Sequence, residues 1–173
     1  MSTYKSLKDQ IKEIEYWLRL ATLLHGPMKQ YLLSVLHNKQ NDPTYQGLPE
    51  DPTELYNELS TVHNGKIKRL RKKGILKDDQ LELLLPTNGD NKTYSGAFDV
   101  TLLVVLIINC TTLPAPTHGW NTLPLDSDTS IAANVLRARE WRNILMHEDA
   151  NAITITVFHS KWNEGFALSL IHI

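Results

Sequence analysis

The chain has 173 residues, 42% apolar and 21% charged, the make-up of one globular domain; a disordered or fibrous protein is excluded. Eighteen Lys and Arg against nineteen Asp and Glu leave a net charge of -1, which rules out polycation behaviour along the whole chain but not a local basic patch. The single cysteine, Cys110, has no partner for an intramolecular disulfide and lies in an apolar run, so a reducing, cytoplasmic setting is expected.

The opening MSTYKSLKDQ lacks the basic-then-apolar order of a secretory signal. Leu7, Ile11, Ile14, Leu18, Ala21 and Leu24 then recur every three or four positions, with Lys8, Lys12, Glu13 and Arg19 between them. That spacing predicts an amphipathic helix whose stripe faces the core. Gly26-Pro27 interrupts it, and Pro27 suits the first position of a second helix carrying Tyr31, Leu32, Val35 and Leu36 and fading by Asn38. Asn41 to Asp51, with two prolines and Gly47, reads as a loop. In Asp51-Pro52-Thr53-Glu54, Asp51 can accept from free amides, Pro52 needs no donor, and Glu54 holds the capping-box position. The helix that follows is expected to bury Leu55, Leu59 and Val62 and to stop near Asn64-Gly65.

Seven basic residues crowd the stretch from Lys66 to Lys77: Lys66, Lys68, Arg69, Arg71, Lys72, Lys73 and Lys77, interleaved with Ile67, Leu70 and Leu76. Two readings stand open. The run is an electrostatic footprint for phosphates, or it is a solvated helix face whose few apolar residues dock on the core. Lys77-Asp78-Asp79 opens a short helix ending at Leu85-Pro86, and Thr87 to Gly96 is a polar loop. Phe98 to Cys110, FDVTLLVVLIINC, is apolar on every side and rich in β-branched residues. Its thirteen residues are long for a strand and ordinary for a helix buried all round, which is the expectation. Its longest aliphatic run, Leu102 to Ile108, has seven residues, far below the ~20 of a membrane helix.

Thr111 to Asp128 holds three prolines and Gly119-Trp120 and is expected to be a structured loop, with Trp120 folded back on the bundle. Asp128 or Thr129 caps the next helix, which runs to about His147 with a stripe of Ile131, Val135, Ala138 and Leu145 and with Trp141 and Ile144 at its edges. Beyond it, Ile153, Ile155 and Val157 alternate as in a strand, while Phe158 and Trp162 are spaced as on a helix.

Gly-rich phosphate loops, CxxC pairs, HExxH and nucleophile elbows are absent from the sequence, and one cysteine with scattered histidines argues against a closed zinc site. Chemistry concentrates instead in the penultimate helix, RAREWRNILMH. At ~100° per residue, Glu140, Asn143 and His147 share a stripe about 60° wide with Arg139 at its margin. Arg142 points about 140° from His147, so it must curl round, or His147 must sit where the helix frays, or a second copy must supply it. Such a set suits metal-free RNA cleavage. The Arg142 guanidinium can fork onto a phosphate, and an imidazole of pKa ~6.5 can move a proton near neutrality. Asn143 can orient that imidazole, and Glu140 can tune it. The plain alternative is a cationic helix end, with His147 facing the helix dipole and Arg142 paired with surface carboxylates.

FDVTLLVVLIINC, GWNTLPLDSDTSIAANV, RAREWRNILMH and GILKDDQLELLLP, in that spacing, resemble the HEPN domain of the DAZ-interacting zinc-finger ubiquitin ligase type, from roughly Met28 to Glu164. The resemblance implies an all-α, HEPN-type helical bundle with short accessory helices and a long Pro/Gly-containing loop before the penultimate helix. Residues 1–26 would form an N-terminal helix, 27–165 the HEPN-like domain and 166–173 a tail that departs from the family pattern, truncated or disordered. It further implies a signature Arg-x4–6-His, which falls on Arg142 and His147 with Asn143 after the arginine. Active members are metal-independent endoribonucleases that dimerise around one RNA strand and use no cofactor. His147 would be the acid/base and Arg142 the phosphate cation, with Glu140 and Asn143 supporting; Lys66, Lys68, Arg69, Arg71, Lys72, Lys73 and Arg139 would contact RNA. By the same analogy residues 153–164 are helical, with Phe158 and Trp162 inward. Other members are noncatalytic interaction or nucleotide-binding modules of ubiquitin-ligase or immune-receptor-like proteins, which leaves a second function class open.

Overall fold

A computed structural model describes residues 6–147, apart from the His147 side chain, together with 156 and 158–160. Among them the protein is an all-α bundle: α1 (Leu7–Leu23), α2 (Lys29–Leu36), α3 (Pro52–Thr61), α4 (Asn64–Lys72), α5 (Asp78–Leu84), α6 (Val100–Cys110) and α7 (Ile131–His147). None of the described helices is long and apolar enough to cross a membrane.

α6 is the axis of the core. Asp99 caps it by accepting from the Leu102 amide, and Val100, Leu102, Leu103, Val104, Leu106, Ile107 and Cys110 are buried. Burial on nearly every side explains the missing periodicity: α2 and α7 both pack against α6, so no face is left to be polar. α2 contributes Tyr31, Leu32, Val35 and Leu36, all buried as their spacing predicts. It ends where Asn38 takes a left-handed φ of 47°, a common helix-closing role for asparagine. The Asn38 side chain then holds the following loop, donating to the Asp42 and Tyr45 carbonyls and accepting from the Asp42 amide.

The α1 stripe meets expectation only at its end, where Leu24 is buried; its first four residues do not. Leu7, Ile11, Ile14 and Leu18 face outward, whereas Leu20, Leu23 and Leu24 enter the core with Tyr16 and Trp17 packed against it. Two apolar stripes share this helix, and the inner one carries the larger aromatic surface. Gly26-Pro27 does not end the helix either. A wide π-type turn, Leu24–Met28, contains Pro27 and feeds directly into α2 at Lys29. A π turn tolerates the missing proline amide that an α-helical interior does not.

Asp51 caps α3 as predicted, accepting from the Thr53 and Glu54 amides at 2.9 and 3.0 Å, with Pro52 in the first helical position. Leu55 and Leu59 are buried, but Val62 is 63% exposed. α3 stops at Thr61 and α4 starts at Asn64, so Val62 sits on the corner between them instead of on the inner face. In α4 only Ile67 and Leu70 are buried. α5 opens with the Gln80 side chain accepting from the Lys77 amide.

α7 is capped by Ser130, whose hydroxyl accepts from the Ala133 amide, and not by Asp128 or Thr129. Asp128 instead accepts from the Ser130 amide within the loop. Ala132, Ala133, Val135, Leu136, Ala138, Trp141 and Leu145 are buried, so Trp141 is a core residue and not an edge one. Trp120 is half-buried against the bundle. Phe158 is buried and stacks on Tyr16 with ring centroids 4.5 Å apart. Ile153, Ile155, Val157, Trp162 and the tail 166–173 lie outside the described residues.

Candidate functional site

Three neighbouring arginines of α7 have separate surroundings. Arg137 donates to the Asn134 side chain at 2.8 Å and to the Leu125 carbonyl at 2.7 Å. Arg139 donates to the Trp120 carbonyl at 3.0 Å. Both therefore fasten the Pro-rich loop to α7 and give its carbonyls charge-assisted donors. Among the described residues, the Arg142 contact is to its neighbour and not to the loop: its Nη1 lies 3.4 Å from the Asn143 Oδ1. That distance is long for a hydrogen bond, and the contact is weak.

Arg142, Asn143 and Glu140 are half-buried, neither sealed in the core nor fully in water. Because α7 is helical through His147, the backbone positions of Glu140, Asn143 and His147 share one stripe, about 60° wide on an ideal helix. The approach of Arg142 to Asn143 draws the guanidinium round towards that stripe. The His147 side chain lies outside the described residues. α1 braces this part of α7: the Trp17 indole donates to the Leu145 carbonyl at 3.3 Å.

The basic residues divide between the two flanks of α4. Lys66, Arg69 and Lys73, together with Leu70, Ile108 and Asn109, line a cleft of about 370 Å³. Among the described residues no carboxylate lines it. Lys66 is tethered there by donating to the Asn109 carbonyl at 2.9 Å, and the Arg69 Nε donates to the Gly65 carbonyl at 3.2 Å. Lys68 and Arg71 line a second cleft of about 310 Å³ that also holds Asp78 and Glu82. Arg71 pairs with Asp78 at 2.9 Å across it. Lys72 and Lys73 are exposed. The first cleft concentrates positive charge; in the second, acids offset it.

Two histidines escaped the sequence reading. His37 spans the Leu48 carbonyl at 3.0 Å and the Ser95 hydroxyl at 2.9 Å, joining two loops. His63 is buried at the α3–α4 corner with its Nε2 3.6 Å from Glu58. Burial holds its imidazole below the ordinary value, Lys66 pushes the same way and Glu58 opposes. Their partners are set by chain reversals, and no local spacing marks them. Among the described residues no group of three or more His, Cys, Asp or Glu is placed to hold a metal ion.

An all-α bundle of this kind is the architecture of HEPN domains. The chain belongs to the DZIP3/hRUL138-like HEPN family, whose sequence profile matches residues 52–166. It is 40% identical over 83 residues to the E3 ubiquitin-protein ligase DZIP3 of Homo sapiens and 39% identical over 83 residues to that of Mus musculus. Each alignment covers 47% of this chain but 7% of the relative's length, so the likeness concerns a small part of a much larger ligase. No solved structure gives a significant match.

Proposed function

We propose that this chain is a metal-independent endoribonuclease domain working as a homodimer, with Arg142 and His147 as its reacting pair. The observation that carries the reading is the Arg142 guanidinium, half-buried on α7 and drawn towards the Asn143 side chain, beside a stripe that ends at His147. In this reaction the RNA 2′-hydroxyl attacks the adjacent phosphorus, and the bond to the 5′ oxygen breaks. The products are a 2′,3′-cyclic phosphate and a 5′-hydroxyl. One imidazole takes the 2′ proton while an imidazolium gives a proton to the leaving oxygen, a division of labour suited to two copies of His147. Arg142 neutralises charge building on the phosphate, and Asn143 and Glu140 support the pair.

Lys66, Arg69 and Lys73 hold the RNA backbone in the acid-free cleft, with Lys68, Arg71 and Lys72 on the flank of α4 adding long-range attraction. Arg139 acts through the loop it pins. The domain serves in the cytoplasm as one part of a larger multidomain protein of the defence or ubiquitin-signalling kind, in keeping with its ligase relatives.

The test is cleavage of single-stranded RNA in EDTA, with product ends identified. His147→Ala should abolish cutting with the helical circular dichroism unchanged, and Arg142→Ala should lower kcat by about 10²–10³. Cleavage undiminished in His147→Ala overturns the assignment. A parent protein that binds RNA or nucleotide and never cuts it belongs to the noncatalytic class instead.

A further inference from the structure

His37 and Ser95 form a pair that the nuclease reading does not use. The Ser95 Oγ lies 2.9 Å from the His37 Nε2, and the His37 Nδ1 lies 3.0 Å from the Leu48 carbonyl. A carbonyl only accepts, so in the neutral ring Nδ1 carries the proton and Nε2 offers a lone pair. The Ser95 hydroxyl is then the donor, held on a base whose tautomer is fixed from behind. Both side chains are half-buried.

The surroundings hold this geometry in place. His37 closes α2, and the Leu48 amide donates back to the Leu36 carbonyl at 2.7 Å. Ser95 opens a short 3₁₀ turn, Ser95–Ala97, flanked by the fully buried Thr93 and Phe98. The Thr93 hydroxyl donates to the Leu84 carbonyl at 2.7 Å, which anchors that loop to α5. Access is open beside the hydroxyl: a Cβ on Gly96 would meet nothing within 4 Å, and Tyr94 is 55% exposed. Lys29 spends one of its three N–H bonds on the Gly96 carbonyl at 2.8 Å, which sets a cation one residue from Ser95.

We propose that Ser95 is a nucleophile for acyl transfer, with His37 as its general base and aryl esters as the acyl donors. The Ser95 Oγ attacks the ester carbonyl carbon while its proton passes to the His37 Nε2. The bond from that carbon to the aryl oxygen breaks, and the oxygen takes the proton from the imidazolium. Water then gives a proton to Nε2 and attacks the acyl carbon. The bond to Oγ breaks, Oγ recovers the proton, and the carboxylic acid leaves. The Lys29 ammonium offsets negative charge building on the carbonyl oxygen, and the Tyr94 ring offers the aryl group an apolar face. No residue of α7 takes part.

Two probes test the proposal on the full 173-residue chain. A fluorophosphonate should add once per chain at Ser95, its P–F bond breaking as the Oγ–P bond forms, and peptide mass mapping reads the position. p-Nitrophenyl acetate should release one rapid equivalent of p-nitrophenol per chain before slower turnover. Ser95→Ala should lose both signals, and His37→Gln should slow the fluorophosphonate about 10²-fold at unchanged helical circular dichroism. Ser95→Cys leaves both loops joined, so it reports even where His37→Gln unfolds them. Cys110 is buried, and the Ser95→Cys thiol beside His37 should react with iodoacetamide at about pH 6 roughly tenfold faster than glutathione does. Absence of an adduct at Ser95 in the parent overturns the proposal. So does a folded His37→Gln labelled at the parent rate, or a Ser95→Cys thiol no faster than glutathione; the pair is then a staple between loops. Arg142→Ala and His147→Ala should leave every one of these signals unchanged, so this inference and the nuclease assignment fail separately.

Discussion

Gly47 shows how tightly single residues set this structure. A Cβ there would stand 2.7 Å from backbone atoms of Leu36, His37 and Asn38, because the loop after α2 folds flat against the helix end. Gly47→Ala should lower the unfolding free energy by about 1–3 kcal/mol in a urea titration, the usual range for overpacking. His63 sets a pH dependence. Its folded imidazole titrates below its unfolded value, so between those values the unfolded chain binds more protons and stability rises with pH. The unfolding midpoint should therefore fall as pH drops below about 6.5, and His63→Gln should flatten that part of the profile. Burial pushes the Cys110 thiol up to about 11, so a thiol reagent at pH 8 should label it at the global unfolding rate and not before. The Asp51 cap was legible from four consecutive residues, because its acceptor and donors are local. The partner of Arg139 was not: it sits 19 positions away on a loop whose path depends on the whole bundle.

At the level of helices, periodicity located α1, α2, α3 and α7 but could not choose between two apolar faces of α1. A repeat reports that a stripe exists; which stripe turns inward depends on what the neighbouring helices offer. α7 and the wide turn after α1 meet the face bearing Leu20, Leu23, Leu24 and the two aromatic rings, and Leu7, Ile11, Ile14 and Leu18 are left outside. The difference is measurable in the monomeric state at low concentration. Ile11→Ala should change stability by no more than about 0.5 kcal/mol, whereas Leu20→Ala should cost about 2–5 kcal/mol. Leu103→Ala in α6 belongs with Leu20→Ala, since α6 is covered by neighbours on both sides. The helical nature of α6 was readable from length alone, although its β-branched composition favours strand.

Across the whole molecule, the all-α class and the family were both readable from sequence words in order, and the profile match over residues 52–166 agrees with them. The candidate site was only partly legible. Spacing put Glu140, Asn143 and His147 on one stripe, yet the approach of Arg142 to Asn143 and the division of the basic run into an acid-free and a mixed cleft depend on side-chain neighbours. That division makes a prediction on the scale of the complex. Lys66→Ala with Lys73→Ala should weaken single-stranded RNA binding and reduce the slope of log K against log salt by about 1–2, while Lys68→Ala with Arg71→Ala should change it less.

The indole bond from Trp17 to the Leu145 carbonyl has a practical corollary for anyone preparing this protein. Similarity alone would suggest expressing residues 52–166, a piece that begins after both α1 and α2. Such a piece would strip the cover from one side of α6 and remove the brace from the end of α7. A recombinant fragment with those limits would present bare hydrocarbon to solvent and bind hydrophobic dyes, so its silence in any cleavage assay would report a damaged scaffold and nothing about the chemistry.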